Sequence, residues 1–264
     1  GNATGALNLA VDSIADLIKK DDEIIISVSE HNSNMLPYLK LAKRGANIHI
    51  VGLKDGIISI DEIKKTLNNR TKIVAIGHCS NVLGNINEVE EIGRIIKAHN
   101  KDILYFIDGT QAVAHIPVNV KNIKADFYAF SSHKMYGPDG VGVLYISKGM
   151  HHLLTPTQVG GGTVKNVAIT YGKKKDIISP EYHQSLITLE GGTPNTSNIV
   201  GLSRAVNFIR SIGFDSIRSH EVELLKYLVA ELKKIEEIVI FDPEDFNKKI
   251  GLVSFGLENY PVKE

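Results

Sequence analysis

The sequence has 264 residues, of which 43% are hydrophobic and 23% charged, ordinary values for a globular protein with a large core. Lys plus Arg is 30 and Asp plus Glu is 30, so a strongly basic nucleic-acid or anionic-membrane binder is disfavoured. The single cysteine, Cys79, excludes an intrachain disulfide framework and a cysteine-only metal cage. No apolar run reaches the roughly 20 residues of a membrane span, and residues 1–4 lack a signal-peptide pattern.

Short β-rich runs alternate with helical patterns over the first 150 residues. Ser59 followed by Glu62 is a capping-box pattern, and the acidic residues near position 90 suit the first turn of a helix. Strands that alternate with helices indicate an α/β fold with a mainly parallel central sheet flanked by helices, which binds ligands at the carboxyl ends of its strands. We predict strands at residues 23–28, 47–52, 72–77, 103–108, 126–130 and 141–146, and helices near 12–20, 33–44, 61–68 and 87–100.

The pattern changes after residue 150. Residues 151–198 are rich in glycine and turn-forming residues, and we predict loops there. We then predict helices near 199–211 and 215–235 and strands at 238–241 and 252–255. This division indicates a large domain over residues 1–198 and the beginning of a small, incomplete C-terminal α/β domain over residues 199–264.

Asp108 and Lys134 are the first candidates for chemistry. Asp108 ends the predicted strand at 103–108, and Lys134 closely follows the strand at 126–130. Taken alone, such an aspartate is more often a cap or turn residue, and such a lysine is more often solvated at the surface. At neighbouring strand ends the two suit pyridoxal 5'-phosphate, because a lysine forms a Schiff base with it and a carboxylate keeps its ring nitrogen protonated.

A phosphate also needs a binding site. Thr4 precedes the first predicted helix, where free N–H groups and the helix dipole favour an anion, although a simple N-cap explains it equally well. Ser131 and His133 can add side-chain donors. His31 and Asn81 each follow a predicted strand, so either a cofactor contact or a structural role fits them.

Six motifs occur along the chain in a fixed order. They are Ala3-Thr4 with Asn8; Glu30-His31-Asn32-Ser33-Asn34 with Pro37; His78-Cys79-Ser80-Asn81-Val82-Leu83-Gly84; Asp108-Gly109-Thr110-Gln111-Ala112; Ser131-Ser132-His133-Lys134-Met135-Tyr136-Gly137-Pro138; and Glu190-Gly191-Gly192-Thr193-Pro194-Asn195. In order and spacing this set resembles the class V aminotransferase-like enzymes, most closely the group II, sulfur-mobilisation cysteine desulfurases. The resemblance covers essentially the whole chain and implies the pyridoxal-phosphate-dependent transferase fold, type I.

The resemblance implies a role for each candidate. Lys134 would hold the cofactor and move protons, Asp108 would pair with the ring nitrogen, and His31 would stack on the ring and act in acid–base steps. Asn81 and Gln111 would contact the ring oxygen. The cofactor-binding set would also include Ala3 and, at the phosphate, Thr4, Ser131 and His133, while Thr193 would reach the phosphate of the other subunit's cofactor in a homodimer.

The resemblance also implies an activity. L-cysteine would be converted to L-alanine, with its sulfur passed to an enzyme cysteine persulfide and then to an acceptor scaffold protein for iron–sulfur cluster assembly. The family's nucleophilic cysteine and its substrate-binding arginine lie in a C-terminal region that we expect to be missing here, as is an N-terminal segment, so the chain itself should turn over little. Cys79 is expected to be a buried filler. Two alternatives remain: a selenocysteine lyase or other class V enzyme, and an inactive scaffold of the same fold.

Two further expectations complete the interpretation. His151 and His152 have no third ligand at metal-site spacing, so we predict no metal site. We expect the cytoplasm if the source is bacterial, or a plastid-type organelle if it is a eukaryotic parasite, and not secretion. No nucleic-acid or membrane partner is expected.

Overall fold

The structure is a computed structural model that describes residues 1–173, 175–241 and 245–258. Its helices are α1 (Ala3–Ser13), α2 (Tyr38–Ala42), α3 (Ile60–Thr66), α4 (Val89–His99), α5 (Val120–Ile123), α6 (Thr196–Ile212) and α7 (Phe214–Leu232). Its strands are β1 (Glu23–Ser27), β2 (Asn47–Val51), β3 (Leu53–Lys54), β4 (Ile57–Ile58), β5 (Thr71–Gly77), β6 (Leu104–Asp108), β7 (Phe127–Ser131), β8 (Gly142–Ile146), β9 (Val164–Thr170), β10 (Ile177–Tyr182), β11 (Ile238–Ile240) and β12 (Phe255–Leu257).

Six strands form a central sheet in the order β2-β1-β5-β6-β7-β8. All neighbours are parallel except β8, which pairs antiparallel with β7. This confirms the predicted α/β fold and its mainly parallel sheet. The register places Gly77 beside Asp108 and Asp108 beside Ala129, so the ends of β5, β6 and β7 lie side by side.

The four inner strands of the sheet, β1, β5, β6 and β7, are largely buried on both faces. Ile24 and Ile26 of β1 pack into one apolar cluster with α1 and α2, and Ile25 packs into a second cluster with α3, α4 and α5. Successive side chains of a strand point to opposite faces, so the near-continuous apolar runs in the sequence supply both clusters. Burial of each of these isoleucine side chains stabilises the folded state by about 1.5–3 kcal/mol. The sheet is therefore a stable support for the loops at its edge.

The first helix was expected over residues 12–20, and that prediction is wrong. Helix α1 runs from Ala3 to Ser13, and Asn2 is its N-cap, accepting the N–H of Gly5 at 2.9 Å. Thr4 therefore lies inside the first turn of the helix instead of ahead of it. The buried stripe has helical spacing, but glycine and asparagine are poor helix formers and obscure it in the sequence.

The second predicted helix, over residues 33–44, is shorter in the structure. A 3₁₀ turn (Asn32–Asn34) comes first, and α2 begins after Pro37. Proline has no N–H and disfavours helical geometry in the residue before it, so it separates the turn from the helix.

The start of α3 confirms part of the capping pattern. Ser59 Oγ accepts the N–H of Glu62 at 3.2 Å. The Glu62 side chain accepts the N–H of Gly52 at 2.6 Å, because the N–H of Ser59 is already donated to the Gly52 carbonyl. Helix α4 carries Glu90 and Glu91 in its first turn, as predicted.

The prediction of loops over residues 151–198 is wrong in part. Strands β9 and β10 form an antiparallel hairpin in which Ile178 pairs with Ile169. Their side chains are mostly exposed, so no buried stripe marks them in the sequence. Helices α6 and α7 confirm the helices predicted after residue 198. The strand expected at 252–255 lies slightly later, where β12 pairs with β11.

No helix among the described residues has both the length and the apolar content needed to cross a membrane. Within the same residues, no group of three or more His, Cys, Asp or Glu side chains is placed to hold a metal ion. His151 and His152 lie in a 3₁₀ turn (Lys148–Leu153) after β8.

Candidate active site

A cavity of about 320 Å³ opens at the carboxyl ends of β1, β5, β6 and β7, against the N-terminus of α1. This is the edge at which a parallel sheet is expected to bind ligands. Thr193 does not line the cavity and is exposed in the loop before α6, so its role in another subunit's site stays a prediction. The other predicted site residues all line it: Ala3, Thr4, His31, Asn81, Asp108, Gln111, Ser131, His133 and Lys134.

Asp108 brings a partly buried carboxylate to the cavity. Its Oδ1 accepts the N–H of Thr110 at 3.0 Å, which is the turn contact that the simpler interpretation of this residue anticipates. Burial raises the pKa of Asp108, an effect that the Thr110 contacts and the nearby His31 oppose. A cation placed against this carboxylate would offset the desolvation of its charged form.

Lys134 lies in a 3₁₀ turn (Ser132–Met135) directly after β7. Tyr136 ends the turn with φ +63°, and the N–H of Gly137 is donated to the Ser132 carbonyl at 3.0 Å. The Lys134 side chain is exposed and makes no hydrogen bond or ion pair to the residues that the structure describes. Its amine is therefore available to a ligand in the cavity.

The first turn of α1 is suited to bind an anion. The Ala3 N–H is donated to Ser131 Oγ at 2.7 Å, which ties the helix start to the end of β7. Thr4 Oγ1 lies 2.6 Å from Ser33 Oγ. The Thr4 N–H has no partner within the helix, because the first N–H groups of any helix lack one. Thr4 lines the cavity at the positive end of the helix dipole.

His31 is held at one ring nitrogen. Its Nδ1 accepts the N–H of Ser33 at 3.1 Å and lies 3.0 Å from Ser33 Oγ. A ring nitrogen that accepts a backbone N–H carries no proton, so neutral His31 has its proton on Nε2. The imidazole thus has a defined tautomer beside the cavity.

Glu30 is the main cavity residue that the sequence reasoning did not select. Its buried carboxyl lies 2.5 Å from Ser27 Oγ and accepts hydrogen bonds from Asn34 Nδ2 at 2.6 Å and the Gly77 N–H at 3.0 Å. Burial raises its pKa to about 7. An acidic residue immediately after a buried strand and before His31 was the available signal. Other lining residues not selected are Asn2, Ser29, Ser33, Ser80, Asn87 and Thr110.

Cys79 and His78 are both buried next to the cavity. Burial raises the pKa of the Cys79 thiol to about 12 and lowers the pKa of His78 to about 4. His78 Nδ1 lies 2.9 Å from the Tyr128 hydroxyl. The burial of Cys79 confirms the prediction from the sequence, and a raised thiol pKa disfavours the thiolate that a nucleophile needs.

The donor set fits pyridoxal phosphate. The partly buried Asp108 carboxylate suits a protonated ring nitrogen, the first N–H groups and the hydroxyl groups at the start of α1 suit the phosphate, and the Lys134 amine suits the aldehyde. The cavity volume also lies at the lower end of the range for small organic ligands.

The fold and the cavity define an α/β enzyme class that uses this cofactor. The chain belongs to the aminotransferase class-V family, because the model of that family matches residues 1–264. Enzymes of this family that are similar to the chain depend on pyridoxal phosphate.

Three proteins that are similar to the chain are all known as cysteine desulfurases or probable cysteine desulfurases. A probable cysteine desulfurase of Halalkalibacterium halodurans is 38% identical over 259 residues, 97% of this chain and 61% of that protein. A probable cysteine desulfurase of Borreliella burgdorferi is 39% identical over 244 residues, 91% of this chain and 56% of that protein. The apo structure of a cysteine desulfurase from Thermococcus onnurineus has a TM-score of 0.88 at 32% identity, covering 98% of this chain and 62% of that one. The chain thus spans about three fifths of its relatives' length.

Proposed function

We propose that this chain is the cofactor-binding core of a cysteine desulfurase that converts L-cysteine to L-alanine. The observation that carries the proposal is the placement of Asp108 and Lys134 at the ends of neighbouring strands, beside one cavity. Bound pyridoxal phosphate supplies an electron sink for the substrate α-carbon. The similar proteins are known as cysteine desulfurases or probable cysteine desulfurases, which supports this choice of substrate.

Each side chain then has a chemical task. Lys134 would hold the cofactor through its Nζ, and the same amine would remove and return the proton at the substrate α-carbon. Asp108 holds the proton on the ring nitrogen, since a partly buried carboxylate gains from an adjacent cation. His31 would stack on the ring with Nε2 as a proton donor, and Asn81 and Gln111 would contact the ring oxygen. Thr4, Ser131 and His133 hold the phosphate.

The sulfur acceptor must be a different thiol from Cys79. The reaction joins the cysteine sulfur to an enzyme thiol, giving a persulfide, while the substrate carbon takes a proton and leaves as alanine. A nucleophile has to be a thiolate, and the buried Cys79 has a pKa of about 12. Because Cys79 is the only cysteine in this sequence, the proposed nucleophile lies outside these 264 residues.

The wider arrangement belongs to the same proposal. Residues 1–198 form the cofactor domain and residues 199–264 begin a second domain, of which 242–244 and 259–264 lie outside the described residues. Two copies pair so that the exposed Thr193 of each reaches the other's phosphate, and a small acceptor protein takes the sulfur for iron–sulfur cluster assembly. The compartment is a bacterial cytoplasm or a plastid-type organelle.

The desulfurase activity is tested with a full-length protein that contains this chain. With pyridoxal phosphate and a thiol reductant, it should release alanine and sulfide from L-cysteine in equal amounts. The Lys134→Ala variant should bind the cofactor weakly and release neither product, while Lys148→Ala, an exposed lysine away from the cavity, should behave as wild type. Cofactor binding without alanine release from L-cysteine would reject the desulfurase activity. Preferential turnover of L-selenocysteine would favour a selenocysteine lyase.

A further inference from the structure

Glu30 joins three separate parts of the chain beneath the cavity. Its Oε1 lies 2.5 Å from Ser27 Oγ at the end of β1 and accepts the Gly77 N–H at the end of β5. Its Oε2 accepts Asn34 Nδ2, from the 3₁₀ turn that follows His31. One carboxyl group therefore connects the end of β1, the end of β5 and the turn that holds His31.

The same turn fixes the His31 ring. The Ser33 N–H that His31 Nδ1 accepts belongs to the residue beside Asn34, and Ser33 Oγ contacts Thr4 at the start of α1. A shift of Asn34 would therefore move the donor that selects the His31 tautomer.

Stability does not explain a carboxyl group at this place. Glu30 is buried and its negative charge faces that of Asp108, which raises the pKa of Glu30 further above its ordinary range. Tyr38 and Tyr105 also face it, and the Glu30 charge raises the pKa of both. A buried carboxyl among acidic and neutral groups costs folding free energy, and such groups are concentrated at functional sites.

We infer that Glu30 is a positioning residue: it holds the Asn32–Asn34 turn on the ends of β1 and β5 and so fixes the orientation and tautomer of His31 at the cavity. Only a carboxyl group has two oxygens that can serve the three converging donors, because a glutamine in its place offers a single acceptor oxygen. This inference rests on the proposed function in one respect, namely that His31 contacts the cofactor ring.

The first readout needs no cofactor. In the 264-residue chain with ¹⁵N-labelled histidine, at about pH 9 where an ordinary imidazole is neutral, the shifts of the two ring nitrogens report the tautomer of His31. His31→Ala identifies its signals. Wild type should show the proton on Nε2. Asn34→Ala, which removes one contact of the carboxyl, and Glu30→Gln should both move the shifts toward a mixture of tautomers.

The second readout is cofactor affinity, from absorbance titrations with pyridoxal phosphate. Asn34→Ala and Glu30→Gln should each weaken binding by about tenfold, as the loss of one buried hydrogen bond to a charged group allows. The matched control is Glu62→Ala, because Glu62 also accepts a backbone N–H, that of Gly52 at 2.6 Å, far from the cavity. The control should leave both readouts unchanged.

Two failures can be told apart. Unchanged His31 shifts in both Asn34→Ala and Glu30→Gln would overturn the positioning role, whatever the affinity. A wild-type chain that binds no pyridoxal phosphate would instead count against the proposed function, and the nitrogen shifts would still decide the role of Glu30.

Discussion

Two carboxyl groups lie at one edge of the sheet, Glu30 buried and Asp108 partly buried, and removal from water raises the pKa of each. The ionised form of a buried carboxyl is disfavoured unless donors or cations surround it. The donors around Glu30 do not fully offset its burial. Desolvation of these two carboxyl groups therefore lowers the stability of the fold. For Asp108, a cation bound beside the carboxylate would offset this loss.

The first prediction concerns pH and stability. Between the ordinary pKa of 4.5 and the folded value of about 7, the folded chain keeps the Glu30 proton while the unfolded chain has lost it. Stability therefore falls as pH rises through this window, by about 3 kcal/mol for a shift of this size. Urea unfolding of wild type and Glu30→Gln at pH 5 and pH 8 should show that the variant lacks this fall.

A control separates this effect from general charge. Glu62→Gln alters an exposed carboxylate and should follow the wild-type pH dependence. Parallel curves for wild type and Glu30→Gln would show that Glu30 does not titrate in that window.

At the residue scale, the sequence predicted part of the site. Asp108 and Lys134 could be selected because each follows a strand whose apolar run is readable. The position of Glu30 after a strand and before His31 was readable, but its burial and its contact with Gly77 depend on β5 lying next to β1, and Gly77 is 47 positions further along the chain. That Cys79 is buried was predictable, but the size of its pKa shift depends on the packed surroundings.

Between elements, the most consequential contact is that of α1 with β8. A Cβ added at Gly142 would lie 2.3 Å from the Asn2 carbonyl oxygen, so this glycine allows the helix start to approach the strand. The helix start carries Ala3 and Thr4, both at the cavity. Gly142 in β8 therefore allows the N-terminus of α1 to reach the cavity.

Gly142→Ala is the second prediction. The new methyl group should displace the first turn of α1, lower the free energy of unfolding by about 1–3 kcal/mol as overpacking does, and weaken binding of pyridoxal phosphate. Thermal unfolding and absorbance titration measure the two effects. Gly149→Ala is the control, because nothing lies within 4 Å of its added Cβ. Equal behaviour of the two variants would contradict this account of α1.

Helix α7 is attached to the rest of the chain by a partly buried charged cluster. Glu221 pairs with His115, which lies beyond β6, and with Arg218 at 2.8 Å. Arg218 also lies within 3.5 Å of the Phe246 carbonyl. The cluster thus connects residues from three regions of the sequence.

Glu221→Ala is the third prediction. Removing the central carboxylate leaves two partly buried partners without it, so the free energy of unfolding should fall by about 2–3 kcal/mol. Glu231→Ala, on the same helix, breaks an exposed pair with Lys234 and should cost no more than about 0.5 kcal/mol. Chemical denaturation of both variants checks the contrast, and a smaller loss for Glu221→Ala than for Glu231→Ala would refute it.

The elements themselves were predictable to different degrees. The strands of the central sheet lie close to the predicted positions, and the inner ones have long buried runs. Helix α1 was placed too late because its buried stripe is interrupted by polar residues and glycine. The β9–β10 hairpin has few buried side chains, so only its backbone pairing reveals it.

Over the whole molecule, function follows from sheet topology. Parallel strands bring their carboxyl ends to one edge, and residues from positions 3 to 134 of the sequence meet there in one cavity. The general rule for such sheets predicts the edge at which this cavity opens. The homodimer and the role of Thr193 depend on a second chain, and they stay predictions.

The central claim is that Lys134 attaches pyridoxal phosphate covalently at this edge of the sheet. The most direct measurement is borohydride reduction of the chain with added pyridoxal phosphate, followed by peptide mass spectrometry. The account predicts the phosphopyridoxyl mass on Lys134, lost in Lys134→Ala and reduced in Asp108→Ala, with no enrichment on Lys148. Label spread over surface lysines, with Lys134 no more modified than Lys148, would contradict it.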